Sequence, residues 1–243
     1  MVSTVRDITS DELHLFGNIV GRLQSPGSDT DLRALVLEDI VRLLRADFGA
    51  SFLWNEKTRR FEKCVRFNVD PTNLKRYDEW FQFRDPITAP LRARRRATHV
   101  EDVISREELV KTEFYNDFLA RDGLHHGVNM YVFEGNHDLG DFRIWRAKDR
   151  PDFTSREIDL LDSLEPFLRR ALQRGAQRFE GLTPRECNVA ALVARGCTDR
   201  DIARVLGIGF GTVRTHINRA MEKRSCANRA ELAALVGSER LNS

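Results

Sequence analysis

The sequence predicts an α+β protein in two parts, a helix-covered sheet over residues 1–173 and an all-α domain over 182–243, separated by a linker at 174–181. Three observations carry this. Helix-spaced and strand-spaced apolar patterns alternate in mixed order up to about residue 173. The stretch Arg174-Gly175-Ala176-Gln177-Arg178-Phe179-Glu180-Gly181 then interrupts them. From Leu182 onward the apolar positions keep helical spacing only, punctuated by glycine turns.

In the first part, Thr9-x-x-Glu12 forms a capping box before Leu13, Phe16, Val20 and Leu23, and Ser25-Pro26-Gly27 breaks that helix. A second helix starts near Asp29 with Leu32, Leu35, Val36, Ile40, Leu43 and Leu44 on one stripe. Ser51–Trp54 and Phe61–Phe67 read as strands of a hairpin. Asp70-Pro71 supplies an N-cap and a first-turn proline for a short helix bearing Leu74, Tyr77, Trp80 and Phe81. Ser105-Arg106-Glu107-Glu108 opens a helix expected to run to Gly123. Val128–Phe133 and Phe142–Arg146 are strands flanking a turn-rich loop, Gly135 to Gly140. Thr154-x-x-Glu157 caps a long helix, 155–173, with Pro166 inside it. The sum is four or five strands with helices on both faces.

Composition narrows the function classes. With 243 residues, 41% hydrophobic and 31% charged, the chain is neither disordered, fibrous nor membrane-like. There is no apolar run of about 18 residues, and Arg6 and Asp7 sit where a signal peptide needs an apolar core, so a cytoplasmic protein without membrane contact is expected. The four cysteines form no C-x-x-C pair, which suggests no disulfide framework or zinc ribbon. Formal charge is +2 overall, yet residues 182–243 hold 10 basic and 6 acidic side chains, an asymmetry that suits a polyanion. No G-x-S-x-G, P-loop, H-E-x-x-H or dinucleotide fingerprint points to an enzyme, and the helix-first body argues against a phosphorylated receiver.

The dense signal lies in the tail. Thr183-Pro184-Arg185-Glu186 starts a helix with its amides capped; Thr198 caps a second; Leu206-Gly207-Ile208-Gly209 turns into a third, from about Phe210 to Arg224. There Val213, Ile217 and Ala220 share the inward face, which turns Arg214, Thr215 and Asn218 outward. Arginine pairs with guanine, asparagine with adenine, and threonine methyl with thymine methyl, so this face has base-reading chemistry. Arg204, Arg219, Lys223 and Arg224 suit phosphates.

Leu182-Thr183-Pro184-Arg185-Glu186, Arg195-Gly196, Asp201-Ile202-Ala203, Leu206-Gly207-Ile208, Thr212-Val213-Arg214-Thr215-His216 and Asn228-Arg229-Ala230-Glu231-Leu232 together resemble the C-terminal helix-turn-helix domain of LuxR/GerE-type transcriptional regulators. The resemblance implies a four-helix domain that binds a double-stranded DNA operator with Arg214, Thr215 and Asn218 at the base edges; Thr212, Arg219, Lys223 and Arg224 complete the expected DNA contacts. At the family's usual serine and lysine positions, this chain has Gly209-Phe210-Gly211 and Asn218.

The body more weakly resembles the autoinducer-binding domain of that family, a PAS/GAF-like α-β-α sandwich. Asp85-Pro86 and Gly127 match its pattern, whereas its tryptophan, tyrosine and second tryptophan fall on Thr72, Arg76 and Val100. The resemblance is thus to a LuxR "solo" whose effector is an acyl-homoserine lactone or an unrelated apolar ligand, bound near Tyr77, Trp80, Phe81 and Asp85; no cofactor or metal is implied. Asp85 reads equally as a helix N-cap. Arg92, Arg94, Arg95 and Arg96 read as solvated surface or as a polyanion contact. His125, His126, His137 and Asp138 make an awkward metal site, because adjacent residues of a strand face opposite ways. A homodimer is expected, with Leu161, Leu164, Leu168 and Leu172 either at its contact or on their own sheet. A ligand-independent regulator or heterodimerising anti-activator is the alternative.

Overall fold

The computed structural model describes residues 8–24 and 31–237, except for the Arg178 side chain. The Ser25-Pro26-Gly27 break, the helix start near Asp29, and Arg6 and Asp7 lie outside those residues. The described chain divides into two compact units, 8–24 with 31–173, and 174–237.

In the first unit, β1 (Phe48–Asn55), β2 (Arg60–Phe67), β3 (Thr98–His99), β4 (His126–Glu134) and β5 (His137–Arg146) form an antiparallel sheet of order β2-β1-β5-β4-β3. Its helices are α1 (Ser10–Gln24), α2 (Leu32–Leu43), α3 (Pro71–Glu79), α4 (Thr88–Arg94), α5 (Arg106–Leu109) and α6 (Ser155–Arg178). Strand alternation sorts the side chains. Val128, Met130, Phe142 and Ile144 pack with Ile19, Val36, Ile40 and Leu164 of α1, α2 and α6. Ala50, Phe52, Tyr131 and Trp145 pack on the other face with Leu74, Tyr77, Leu91, Phe114 and Phe118. The fold is therefore a sheet covered on both sides.

Three sequence expectations are corrected and one open alternative is decided. The helix from Ser105 stops after α5, and the chain resumes as a π turn at Tyr115–Leu119 and a 3-10 turn at Ala120–Asp122. Thr112 Oγ1 donates to the Leu109 carbonyl and accepts the Tyr115 N–H, and such local side-chain bonds compete with helical ones. The loop from Gly135 to Gly140 is mostly strand, because Gly135-Asn136 alone makes the turn and β5 begins at His137. Gly140, with φ of +135°, also lets Leu53 and the Phe52 carbonyl approach within 3.3 Å of where a Cβ would stand. The expected linker is helical as far as Arg178, since a lone glycine costs only about 1 kcal/mol in a run of helix formers. Leu161, Leu164 and Leu168 are at most 1% exposed and belong to their own sheet's core, and Leu172 packs against it.

The second unit holds α7 (Pro184–Ala194), α8 (Asp199–Leu206), α9 (Phe210–Lys223) and α10 (Arg229–Gly237). Thr183 with Glu186 and Thr198 with Asp201 close capping boxes, and Gly207 ends α8 at φ of +61°. Val189, Val193, Ile202, Val213, Ile217, Ala220 and Leu232 form its core. All four cysteines are free thiols. Among the described residues, no helix is long and apolar enough to cross a membrane.

Candidate nucleic-acid interface and ligand cavity

On α9, burial of Val213, Ile217 and Ala220 leaves Thr212, Arg214, Thr215, Asn218 and Arg219 exposed. The Arg214 side chain is 69% exposed, with Nε 3.7 Å from Asp199 and its guanidinium 5.5 Å from the Phe210 ring centroid. Thr215 Oγ1 donates to the Gly211 carbonyl, which fixes its rotamer. Gly209, the N-cap, offers no side-chain cap to the first amides of α9.

Two expected phosphate contacts are engaged elsewhere. Lys223 Nζ lies 2.7 Å from Glu186 Oε2, and Arg224 donates to the carbonyls of Glu180 and Gln177, each at 3.1 Å. Their spacing on α9 showed the exposed flank but not these acceptors. Sequence reading also passed over Phe210 and Val205, apolar yet 47% and 64% exposed; the glycines flanking Phe210 were the available signal.

In the first unit, a cavity opens between the second sheet face and α3. Phe52, Leu74, Tyr77, Phe114, Phe118 and Trp145 wall it, and Asp85, Thr88, Asn129 and Arg143 supply its polar groups. About 30 Å³ is free, room for one or two waters. Of the expected ligand contacts, Tyr77 and Asp85 line it. Phe81 stands behind the wall, its ring centroid 5.6 Å from that of Phe118. Trp80 is placed elsewhere: it caps the C-terminal end of α3, is 46% exposed, stacks under Arg84 and donates to Glu113. One residue past the helix, it has lost the periodicity that would aim it inward.

Asp85 makes capping-type bonds just ahead of α4, whose N-cap position is Ile87, and faces the cavity as well. Its Oδ1 accepts the amides of Ile87 and Thr88, and its Oδ2 accepts the hydroxyls of Thr88 and Tyr77. Arg143 was missed. It lies between Phe142 and Ile144 on a strand covered on both faces, so alternation drives its charge into the core. Its Nε and Nη2 donate to Asp141 at 2.9 and 2.7 Å, its Nη1 donates to the Tyr77 hydroxyl at 2.5 Å, and Phe52 and Phe61 flank the guanidinium at 4.5 Å. Burial pushes Asp141 above the usual carboxylate range despite that partner, and burial raises the Tyr77 phenol. Burial opposes the Arg143 charge, but Asp141 and the neighbouring tyrosines outweigh it and hold its pKa above the ordinary value.

Of the positions where the weak resemblance puts anchors, Thr72 is exposed, Arg76 donates to the Asp117 carbonyl, and Val100 is buried in the apolar core. Three of the clustered arginines bind their own chain: Arg92 pairs with Asp138, Arg94 donates to the Asp102 carbonyl and Arg95 to that of Gly135. His126 and His137 sit at opposite ends of the β4–β5 hairpin, opposite Arg146 and Glu134. His126 gathers instead with Glu101 and Asp152, where Arg106, 2.7 Å from Glu101, supplies the positive charge.

Residues 180–236 match the family model described as "Bacterial regulatory proteins, luxR family". The Monoamine regulon transcriptional regulator of Klebsiella aerogenes is 24% identical over 83% of this chain and 88% of its own length. The transcriptional activator protein TraR of Rhizobium radiobacter is 25% identical over 66% of this chain and 71% of its own. The solved GAF domain of a phosphoenolpyruvate-protein phosphotransferase from Coxiella burnetii aligns with 68% of this chain and 94% of that one, at 13% identity and a TM-score of 0.53. The tail is thus a luxR-type helix-turn-helix domain, and the helix-covered sheet has a GAF-like fold.

Proposed function

We propose that this chain, with its luxR-type tail, is a transcriptional regulator that reads a double-stranded operator as a homodimer and responds to a small molecule other than an acyl-homoserine lactone. The carrying observation is the face of α9, where Thr212, Arg214, Thr215, Asn218 and Arg219 stand exposed together above a buried Val213-Ile217-Ala220 stripe. Arg214 and Asn218 then read base edges, and Arg219 meets phosphate. Two subunits would span half-sites about one helical turn apart. Relatives named as transcriptional regulators support the class.

Selection of duplexes from a random pool by the purified full chain, followed by affinity measurements across salt, tests this reading. Arg214→Ala is expected to cost about 1–3 kcal/mol at one base pair and to relax selection there. Arg214→Ala and Asn218→Ala proteins that select the unchanged sequence at unchanged affinity would take α9 out of the groove.

The effector reading rests on a cavity whose walls are apolar and whose polar groups converge. The lactone-specific anchors are replaced by Thr72, Arg76 and Val100, which argues for another ligand. The free space of about 30 Å³, with the Arg143 guanidinium in its lining, favours the ligand-independent alternative. Native mass spectrometry of protein expressed without added inducer separates the two readings by the presence or absence of a retained small molecule.

A further inference from the structure

Asn129 on β4 and Arg143 on β5 are register partners, so their side chains stand side by side on the same sheet face, toward the cavity. Asn129 is 1% exposed, and its Oδ1 is buried with no hydrogen-bond partner. Native interiors rarely leave such an acceptor unpaired, and an orphan beside a cavity marks where a donor is to be supplied.

Arg143 offers the complementary half. A guanidinium carries five N–H bonds; Asp141 takes one from Nε and one from Nη2, and Tyr77 takes one from Nη1. The Asp85 carboxylate, at 4.0 Å from Nη1, is beyond hydrogen-bond reach. One N–H on each terminal nitrogen is therefore left to give. Asp85, by contrast, accepts four hydrogen bonds from the protein itself and has no lone pair to spare for a ligand.

Charge restricts the class further. Asp85 and Asp141 face a single guanidinium, so an added anion meets net negative charge, while an added cation finds both carboxylates already engaged by protein donors and Arg143 beside it. A neutral group with adjacent acceptor and donor avoids both penalties.

We propose that the cavity receives a compact, neutral ligand by its amide edge, with the carbonyl oxygen accepting from Arg143 and the N–H donating to Asn129 Oδ1. Its apolar body lies against Phe52, Phe114, Phe118 and Trp145. This rests on the effector reading above and names its chemistry: carboxamides, lactams and ureas rather than acids, amines or lactones without that edge. The free volume of about 30 Å³ holds one or two waters, so even the smallest of these requires the ring walls to move outward.

The test is thermal unfolding of the full chain with acetamide, 2-pyrrolidinone and benzamide at about 10 mM, a level suited to ligands of few atoms. Acetate, benzoate, benzylamine and γ-butyrolactone run beside them, on wild type and Asn129→Leu. At least one amide is expected to raise the wild-type Tm and not that of Asn129→Leu, while Asn129→Leu without ligand melts at or above wild type because the orphan carbonyl is gone. Should Asn129→Leu not fold, Asn129→Val, smaller and suited to a strand, carries the same comparison. Equal amide shifts in wild type and variant would overturn the Asn129 assignment. Shifts confined to acids, amines or the lactone would overturn the amide class and leave the effector reading standing. No shift from any compound, with no small molecule retained in native mass spectra, would remove the effector reading along with it.

Discussion

The Lys223 ammonium lies 2.7 Å from Glu186 Oε2, the same oxygen that accepts the Thr183 N–H where α7 begins. The C-terminal end of α9 is thereby fastened to the N-terminal cap of α7, and a lysine on the helix proposed to read DNA is committed to its own domain. Lys223→Ala is expected to cost about 1–2 kcal/mol in denaturant unfolding, because it withdraws a partner from a buried carboxylate. The salt dependence of DNA binding should change little, the reverse of what a phosphate contact gives. Burial pushes the Glu186 carboxyl up, but Lys223 and Thr183 overcome this and hold it below the usual range. A depressed folded value means that this stability is present above the ordinary carboxylate pKa and is lost as pH falls through the folded one. Lys223→Ala should flatten that acid loss.

Glu12 makes a similar lock in the first unit. Its Oε2 accepts the Thr9 amide and lies 2.5 Å from Arg156 of α6, and its Oε1 accepts Arg45 at 2.9 Å. Burial opposes ionisation there, yet the Thr9 and arginine donors lower the carboxyl from 4.5 to about 2. At about 1.4 kcal/mol per pKa unit the linkage is bounded at about 3.5 kcal/mol, and about half of that is expected because Arg45 is half exposed to solvent. Glu12→Gln should therefore be less stable than wild type at neutral pH, and the gap should close between about pH 4.5 and pH 2. A gap independent of pH in urea melts would count against the lock.

Much of the frame was legible because it rests on short-range chemistry. The Thr9, Asp70, Ser105, Thr183 and Thr198 caps all form, and the Val213-Ile217-Ala220 stripe is buried, since three- and four-residue spacings decide both. What was not legible depended on partners distant in sequence. Arg143 and its ion-pair partner Asp141 could be placed on one strand, but the aromatic flanks and the Tyr77 hydroxyl come from β1, β2 and α3. The orphan carbonyl of Asn129 appears only when the opposite strand is in register. Lys223 reads as a surface cation until Glu186, on another helix, arrives beneath it. Trp80 shows the converse error, a helical period extended one residue too far.

Gly127 has a reason that only packing supplies. A Cβ there would stand 2.6 Å from Trp145 Cζ3 and 2.7 Å from Val100 Cγ2, and Trp145 is a wall of the cavity. Gly127→Ala is expected to cost about 1–3 kcal/mol through overpacking. The indole has to shift in response, so any effector-induced change in Tm should fall with it. Unchanged stability in chemical unfolding would mean that the wall yields freely.

Phe210 is the first residue of α9, lies between two glycines and is 47% exposed. A Cβ at Gly211 would meet nothing within 4 Å, so no neighbour in the domain crowds this corner. The ring instead accompanies Arg214, whose guanidinium is 5.5 Å from its centroid. If α9 enters the groove as proposed, an apolar ring on its first turn suits a thymine methyl, a contact that carries sequence information without charge. Phe210→Ala should thus weaken specific binding by about 1–2 kcal/mol and remove a thymine preference at one position. The salt slope should stay as it is, since no phosphate contact is lost. Arg214 would lose its aromatic neighbour while keeping Asp199, so discrimination at its own base pair should weaken only in part. If Phe210→Ala instead lowers Tm and keeps the full base-substitution profile, the ring belongs to the fold and the reading face begins at Thr212.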